Sequence, residues 1–243
     1  EVWHRRGLAP DFLATREGAC LYHAMTPLEA AGMGLGGNNL RTMLEQRHRI
    51  IDHRLEQLIQ QQGVRQVLEI AAGLSPRGYR FCQQHPEVRY LETDLPGMAE
   101  RKRRCLESAD ALAANHEVRA LNVFAPSGDQ ALETVVAESF NEGQPLVIIT
   151  EGLTSYFTRD AMDGVWRRLA ALGERFPASV YLMETYMVPQ HGAWPRVIRR
   201  LARVLGRLSA SEVSFHFVNG REAAAHMKQL GFTEAHTHHP RDY

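Results

Sequence analysis

The chain has 243 residues, 28 basic and 28 acidic, and 44% of it is hydrophobic. Balanced charge argues against a nucleic-acid surface, which needs a basic footprint, and the length suits one sizeable α/β core with appendages. Three cysteines with neither paired nor metal-type spacing fit reduced thiols in a cytosolic, cytoplasmic protein, and no apolar run reaches the roughly 18 residues of a membrane span.

Glu1-Val-Trp-His-Arg-Arg is followed by no signal-peptide core, and the lack of an initial Met suggests a trimmed start. Residues 1–39 read as irregular, broken by Thr26-Pro27 and by the glycines between Gly32 and Gly37. Two readings stand: a loose leader, or a flap over a crevice that brings Tyr22, His23 and Met25 near a substrate. Asn38 or Asn39 then caps a helix over about 40–62, which Gly63 closes. Leu40, Leu44, Ile51, Leu55 and Leu58 fall on one stripe, with Arg47 and Arg54 in its middle and Arg49, Asp52 and Glu56 facing away. An arginine on such a stripe either snorkels to the surface or meets an anion.

Residues 66–102 form the organising unit. Val67, Leu68 and Ile70 make a short apolar run, as expected of a strand buried on both faces. Ala71, Ala72 and Gly73 then remove side-chain bulk where the chain turns, so that a ligand can approach the backbone. Pro76 suits the first turn of a helix to about 84, and a second strand over 88–93 ends at Asp94. Asp94 lies about 20 residues beyond the turn, the offset at which an acid reaches a nucleotide ribose. The turn lacks the Gly-x-Gly-x-x-Gly of a dinucleotide site, and Glu69 places an acid beside it. A pyrophosphate would be repelled there, whereas S-adenosylmethionine, with its ribose, ammonium and sulfonium, would be welcomed. An NAD-linked oxidoreductase is the disfavoured rival, and a ligand-free α/β core the plain one.

Downstream, Pro96 opens a helix to about 113, with Met98, Lys102, Cys105, Ala109 and Leu112 on one face. Lys102 reads as a stem on the core with a wet head. A third strand over about 117–121 ends at Asn122-Val123, and a helix over 128–140 precedes the buried fourth strand, Leu146–Thr150. Glu151 stands at that strand's carboxyl edge, where open α/β folds bind ligands, and needs a donor such as an ammonium or a hydroxyl. Thr158 caps an amphipathic helix bearing Met162, Val165, Trp166 and Leu169, and a fifth strand spans about 179–184. Residues 186–212 read as an arginine-rich helical lid insertion, with a plain surface helix and a membrane-lying helix as alternatives. Strands at about 213–218 and from Phe232 onward flank a helix with an Asn219–Glu222 capping box. His236, His238 and His239 read as surface residues rather than a metal site.

Three blocks carry a resemblance. Gln66-Val-Leu-Glu-Ile-Ala-Ala-Gly-Leu-Ser-Pro-Arg-Gly-Tyr-Arg, Tyr90-Leu-Glu-Thr-Asp-Leu-Pro with Lys102 following, and Thr150-Glu-Gly-Leu-Thr-Ser-Tyr-Phe occur in order. Over roughly residues 40–185 the chain resembles the leucine carboxyl methyltransferase-like family of class I S-adenosylmethionine-dependent methyltransferases. That family includes O-methyltransferases of polyketide biosynthesis of the tetracenomycin type. The resemblance implies a Rossmann-like α/β fold with a mostly parallel sheet and helices on both faces. The chain as a whole reads as a single domain of 1–243 with an N-terminal cap and helix (1–63), a nucleoside-binding core (64–185), a lid (186–212) and a C-terminal helix and strand (213–243). The family's Arg-x-x-x-x-Asp block matches Arg47 and Asp52, which makes Arg47 the clamp for the cofactor's carboxylate, and Glu151 matches its active-site glutamate. In methyltransferases of this architecture the adenine is read after the third strand, hence Asn122 and Val123. Two departures stand out. Ala71 replaces a common glycine, and Ser75-Pro76 replaces a common Asp-Thr.

The expected activity is S-adenosylmethionine-dependent O-methylation of a small molecule, polyketide-like, or of a carboxyl terminus. No nucleic acid or membrane partner is implied, and the oligomeric state is open. A scaffold that binds cofactor without catalysis, suggested by Ala71, is the other rival. A carboxylate acceptor needs no base, whereas a phenol, with pKa ≈ 10, would benefit from one. Tyr156 and His216 are the base candidates, with His23 and Tyr186 behind them. None is compelling, which tilts the acceptor toward a carboxylate steered by Arg77 or by an arginine of the lid.

Overall fold

The computed structural model describes residues 2–5, 7–16, 18–19, 23, 40–185 and 214–243. The predicted lid, Tyr186, Tyr22, Met25 and the Asn38 or Asn39 cap lie outside these residues. A short helical turn at Val2–Arg5 and a 3₁₀ turn at Asp11–Leu13 precede α1, Leu40–Gln62. Then come β1 (Gln66–Ile70), α2 (Arg77–Gln84), β2 (Arg89–Asp94), α3 (Pro96–Ser108) and β3 (His116–Ala120). They are followed by α4 (Leu132–Ser139), β4 (Leu146–Thr150), α5 (Arg159–Gly173), β5 (Val180–Met183) and α6 (Gly220–Gln229). The five strands form one parallel sheet in the order β3-β2-β1-β4-β5. This is the α/β Rossmann-like arrangement that the sequence implies. No described helix is long and apolar enough to cross a membrane.

Strand side chains alternate between the two faces, and each face builds its own core. Val67, Tyr90, Val147 and Ile149 pack against Ile51, Leu55, Leu58 and Ile59 of α1 and Phe81 of α2. Leu68, Ile70, Leu91 and Ile148 pack against α4, α5 and α6, with Trp166 fully buried at the centre. The same parity puts Glu69 and Glu92 on the α1–α2 face, directly opposite each other across β1 and β2. Two buried carboxylates so paired repel, and the helices on that face supply the compensating charge.

Several boundaries differ from the sequence reading. Helix α3 stops at Ser108 because Asp110 takes a left-handed φ of +51°, while the amide of Ala111 returns to the Leu106 carbonyl. Its buried face is therefore Ala99, Lys102 and Leu106. Lys102 has no wet head: it is 1% exposed, and its Nζ donates to Glu92 (2.5 Å) and to the Ser75 carbonyl (2.8 Å). No strand forms after Phe232, where the residues are largely exposed; Phe232 instead stacks on Tyr181. Of the strand expected at 213–218, only a single bridge at Phe217 is present among the described residues. Asn219 does cap α6 by accepting the Glu222 amide, but the Glu222 carboxylate takes the amide of Val218 rather than that of Asn219.

Candidate functional site

A cleft of about 340 Å³ opens at the carboxyl edge of the sheet, within the range of small-molecule sites. Its floor is the β1–α2 turn, Ala71 to Ser75, and one wall is Glu151-Gly152 after β4. Arg47 from α1, Tyr156, and residues between His4 and Thr15 complete it. A concavity of about 430 Å³ near Pro86 and Asn115 is larger. It sits at the amino-terminal ends of β2 and β3, the wrong end for a ligand in such a sheet.

The turn is held from three directions. The Ala72 amide donates to the Thr93 carbonyl at 3.0 Å, and the Gly73 amide donates to Asp94 Oδ2 at 2.8 Å. Lys102 grips the Ser75 carbonyl from below. Asp94 also accepts the Leu95 amide at 2.7 Å, and each of its oxygens keeps a second lone pair for a ligand hydroxyl. The 94-to-73 bridge places the acid over the small-residue turn, where the spacing rule put it.

Behind the floor lies a charge hub that the sequence reading did not anticipate. Arg77 is fully buried and donates to Asp52 (2.5 Å), Glu69 (2.7 Å) and Glu151 (2.5 Å). It is neither a surface residue nor available to steer an acceptor. Asp52 is turned inward and also binds Arg80, because α1 and α2 lie on the same sheet face. Arg47 donates through Nε to Glu151 at 2.9 Å, and His48 Nδ1 lies 2.9 Å from the other Glu151 oxygen. Three arginines thus face three carboxylates. Burial alone would raise the Glu151 carboxyl; Arg77, His48 and Arg47 outweigh it and hold the group far below the usual carboxylate range. Glu151 therefore has its cations without any ligand. Glu69 likewise is spoken for, by Arg77 and by the Tyr90 hydroxyl at 2.6 Å, so its charge is largely neutralised before a ligand arrives.

Of the residues singled out from the sequence, Arg47, Glu69, Ala71, Gly73, Glu151 and Tyr156 line the cleft, and Asp94 binds its floor. Asn122 and Val123 do not line it. Asn122 folds its side chain onto the Phe124 amide, and Val123 is 6% exposed with its carbonyl on Arg168. His216 is buried against Trp166, bonded to the Thr154 carbonyl at 2.7 Å, and His23 pairs with Arg5 on the surface. Neither belongs to the cleft lining. One residue was overlooked. Glu184, just past β5, is buried and among the described residues has no hydrogen-bond partner on either carboxylate oxygen. The signal for it was available: an acid at the carboxyl end of a core strand, the pattern that singled out Glu151.

The model of leucine carboxyl methyltransferases matches residues 9–170. The chain belongs to the leucine carboxyl methyltransferase family. A Mycobacterium bovis BCG protein, provisionally named as an S-adenosyl-L-methionine-dependent methyltransferase, is 29% identical over 170 residues, 70% of this chain and 53% of its own length. A Mycobacteroides abscessus protein with the same provisional name is 31% identical over 131 residues, 54% of this chain and 40% of its own. This member of the family thus spans about half the length of the curated relatives it matches. Among solved structures, a methyltransferase so described on provisional grounds from Thermobifida fusca aligns with a TM-score of 0.59 at 16% identity, over 84% of this chain and 77% of that one. A Nostoc punctiforme protein, given provisionally as an O-methyltransferase, aligns at 0.51 and 13% identity, over 77% and 51%. These two likenesses speak to the fold alone.

Proposed function

We propose that this chain binds S-adenosylmethionine in the carboxyl-edge cleft and methylates an oxygen of a small molecule or of a carboxyl terminus. The observation that carries the reading is the bridge between Asp94 and the Gly73 amide, in a family of methyltransferases. It sets an acid with spare lone pairs above a turn of small residues, the arrangement that holds a nucleoside ribose. Asp94 would take the ribose hydroxyls and Ala71 and Gly73 the close backbone approach; Asn122 and Val123, which do not line the cleft, would reach the base only if the segment after β3 shifts. Arg47 would take the amino-acid carboxylate, with Glu69 and Glu151 toward the ammonium. When bound, the cofactor supplies a methyl group already activated by the sulfonium.

The residues of this chain supply position and dryness. The hub around Arg77 fixes α1 and α2 against β1 and β4, so that Arg47 and Glu151 enter the cleft from rigid elements. Orientation of this kind is where most of the rate enhancement of a simple displacement resides.

Isothermal calorimetry with S-adenosylhomocysteine tests the reading. The wild type should bind, and Asp94→Ala should weaken binding by about 1–3 kcal/mol, the cost of one charged hydrogen-bonding group. No binding by the wild type, or equal affinity in the variant, sinks it. Mass-spectrometric detection of methyl transfer to any of a panel of phenols and carboxylates would then exclude a non-catalytic scaffold.

A further inference from the structure

Glu184 follows β5 and is 7% exposed, yet among the described residues neither carboxylate oxygen completes a hydrogen bond; Arg47 and the Gly152 amide act on it from outside hydrogen-bonding geometry. Its backbone carbonyl accepts the Thr154 hydroxyl at 3.4 Å, which fixes it beside the loop after β4. The charged and titratable groups around it are Arg47 from α1, Glu151 after β4 and Tyr181 on β5 itself. Arg47 and Glu151 line the cleft and are bonded to each other. A buried acid without a donor is costly, and each such group in a native fold asks for an explanation. Position supplies one. Across the sheet edge stand Asp94 at β2, the Ala71–Gly73 turn at β1, Glu151-Gly152 at β4 and Glu184 at β5. With the nucleoside at the β2 side, the far wall of the cleft is Glu151-Gly152 after β4; Glu184 is not itself a lining residue but stands behind that wall beside Arg47 and Gly152, on the side left for the second substrate.

We infer that Glu184 is a catalytic base for a hydroxyl-bearing methyl acceptor, so that the acceptor is a phenol-like hydroxyl rather than a carboxylate. In the step it performs, the acceptor's O–H bond breaks and the proton forms a new O–H bond on Glu184. The bonding pair stays on the acceptor oxygen, which takes over the negative charge. The proton leaves to solvent after turnover. This rests on the cofactor reading above. Burial pushes the Glu184 carboxyl up to about 7, with Arg47 and the Gly152 amide pulling it down and Glu151 pushing it further up. A base is most effective when it titrates near the working pH, and this one stands about three units from a phenol. An ionised acceptor would meet the ionised form of Glu184, which lacks the cations that neutralise Glu151, and be repelled.

The test uses the full chain, saturated with S-adenosylhomocysteine, and calorimetry with simple phenols (4-nitrophenol, catechol, resorcinol) and with benzoate. Run in two buffers of different ionisation enthalpy, it also counts protons. The wild type should bind at least one phenol with a linked proton, and benzoate at least tenfold more weakly. Glu184→Gln should lose at least tenfold in phenol affinity and lose the linked proton, with S-adenosylhomocysteine affinity unchanged within twofold. Glu184→Asp should regain the proton linkage, which a packing role would not predict, and it serves as the second variant if Glu184→Gln fails to fold. Capture of no phenol, preference for benzoate, or equal binding by Glu184→Gln overturns the inference while leaving the cofactor reading intact. Failure of the wild type to bind S-adenosylhomocysteine overturns both.

Discussion

Glu151 and Glu184 stand just past the ends of neighbouring strands at one edge of the sheet, and both are buried, yet they live in opposite environments. Glu151 is bound by Arg47, Arg77 and His48 and stays ionised far into acid. Glu184 completes no hydrogen bond among the described residues and is pushed up to about 7 by burial. The difference separates architecture from chemistry. A saturated acid ties helices to a sheet; an unsaturated one is retained at a cost in stability, and such sites concentrate where function needs them. Substitutions on either side should therefore move stability in opposite directions.

The largest effect is expected at the saturated side. Arg77→Met strips a buried cation from three carboxylates, Asp52, Glu69 and Glu151. Breaking one buried pair from one side costs about 3–5 kcal/mol, and here three are broken together, although Arg80 and Arg47 still serve Asp52 and Glu151. Urea unfolding should show at least about 3 kcal/mol lost, or no cooperative transition at all. A midpoint unchanged from wild type would mean that the hub contributes nothing net.

On the unsaturated side the sign reverses and depends on pH. The folded pKa of Glu184, about 7, lies above its ordinary 4.5. Its contribution is thus fully present below pH ~4.5 and is lost as pH rises through 7. The shift corresponds to a loss on the order of 3 kcal/mol by pH 8. Glu184→Gln removes that dependence. Compared with wild type, the variant should gain steadily in melting temperature between pH 5 and pH 8. Parallel curves over that range would show that Glu184 is solvated after all, and the contrast with Glu151 would vanish.

A smaller loss is expected at Gly78 on α2, the helix that carries Arg77. A Cβ added there would lie 2.5 Å from the Glu92 carboxyl carbon, and Glu92 is pinned by Lys102 and His116. Overpacking of this kind costs about 1–3 kcal/mol, so Gly78→Ala should lower the urea midpoint without altering its pH dependence. A neutral outcome would mean that the Glu92 cluster yields, unlike the hub beside it.

The legibility of the molecule follows the same division. Strands β1, β2 and β4 and helix α1 were readable because apolar periodicity and a glycine stop are local signals. The Asp94 position was readable because it obeys an offset along the chain. The hub was not. Asp52 looked outward on its helix, Lys102 looked like a snorkelling stem, and Arg77 looked like an arginine that steers an acceptor, because the sequence does not say that α1, α2 and α3 share a sheet face. Once Glu69 and Glu92 are seen opposite each other in register, the two cations bound to them, Arg77 and Lys102, become necessary rather than incidental. The tail after Phe232 misled for a related reason: alternation alone does not make a strand when no neighbour pairs with it.

The smallest effect concerns the floor between the two acids. Ala71 takes a φ of +55°, in the left-handed region, which costs an L-residue roughly 1–2 kcal/mol. Glycine would remove that strain but lose about 0.4–1 kcal/mol through the greater freedom of its unfolded chain. It would also forfeit part of one methyl's burial, up to about 0.8 kcal/mol, since Ala71 packs against the core formed with α4 and α5. The terms nearly cancel, so Ala71→Gly should shift stability by less than about 1 kcal/mol. Its effect on the ligand has no such opposition, because the Ala71 methyl belongs to a residue that lines the cleft. Affinity for S-adenosylhomocysteine should be equal or higher in Ala71→Gly, by calorimetry. A fall in affinity with stability unchanged would mean that the methyl is a contact surface for the ligand, and that this chain shapes its cleft floor differently from relatives with glycine there.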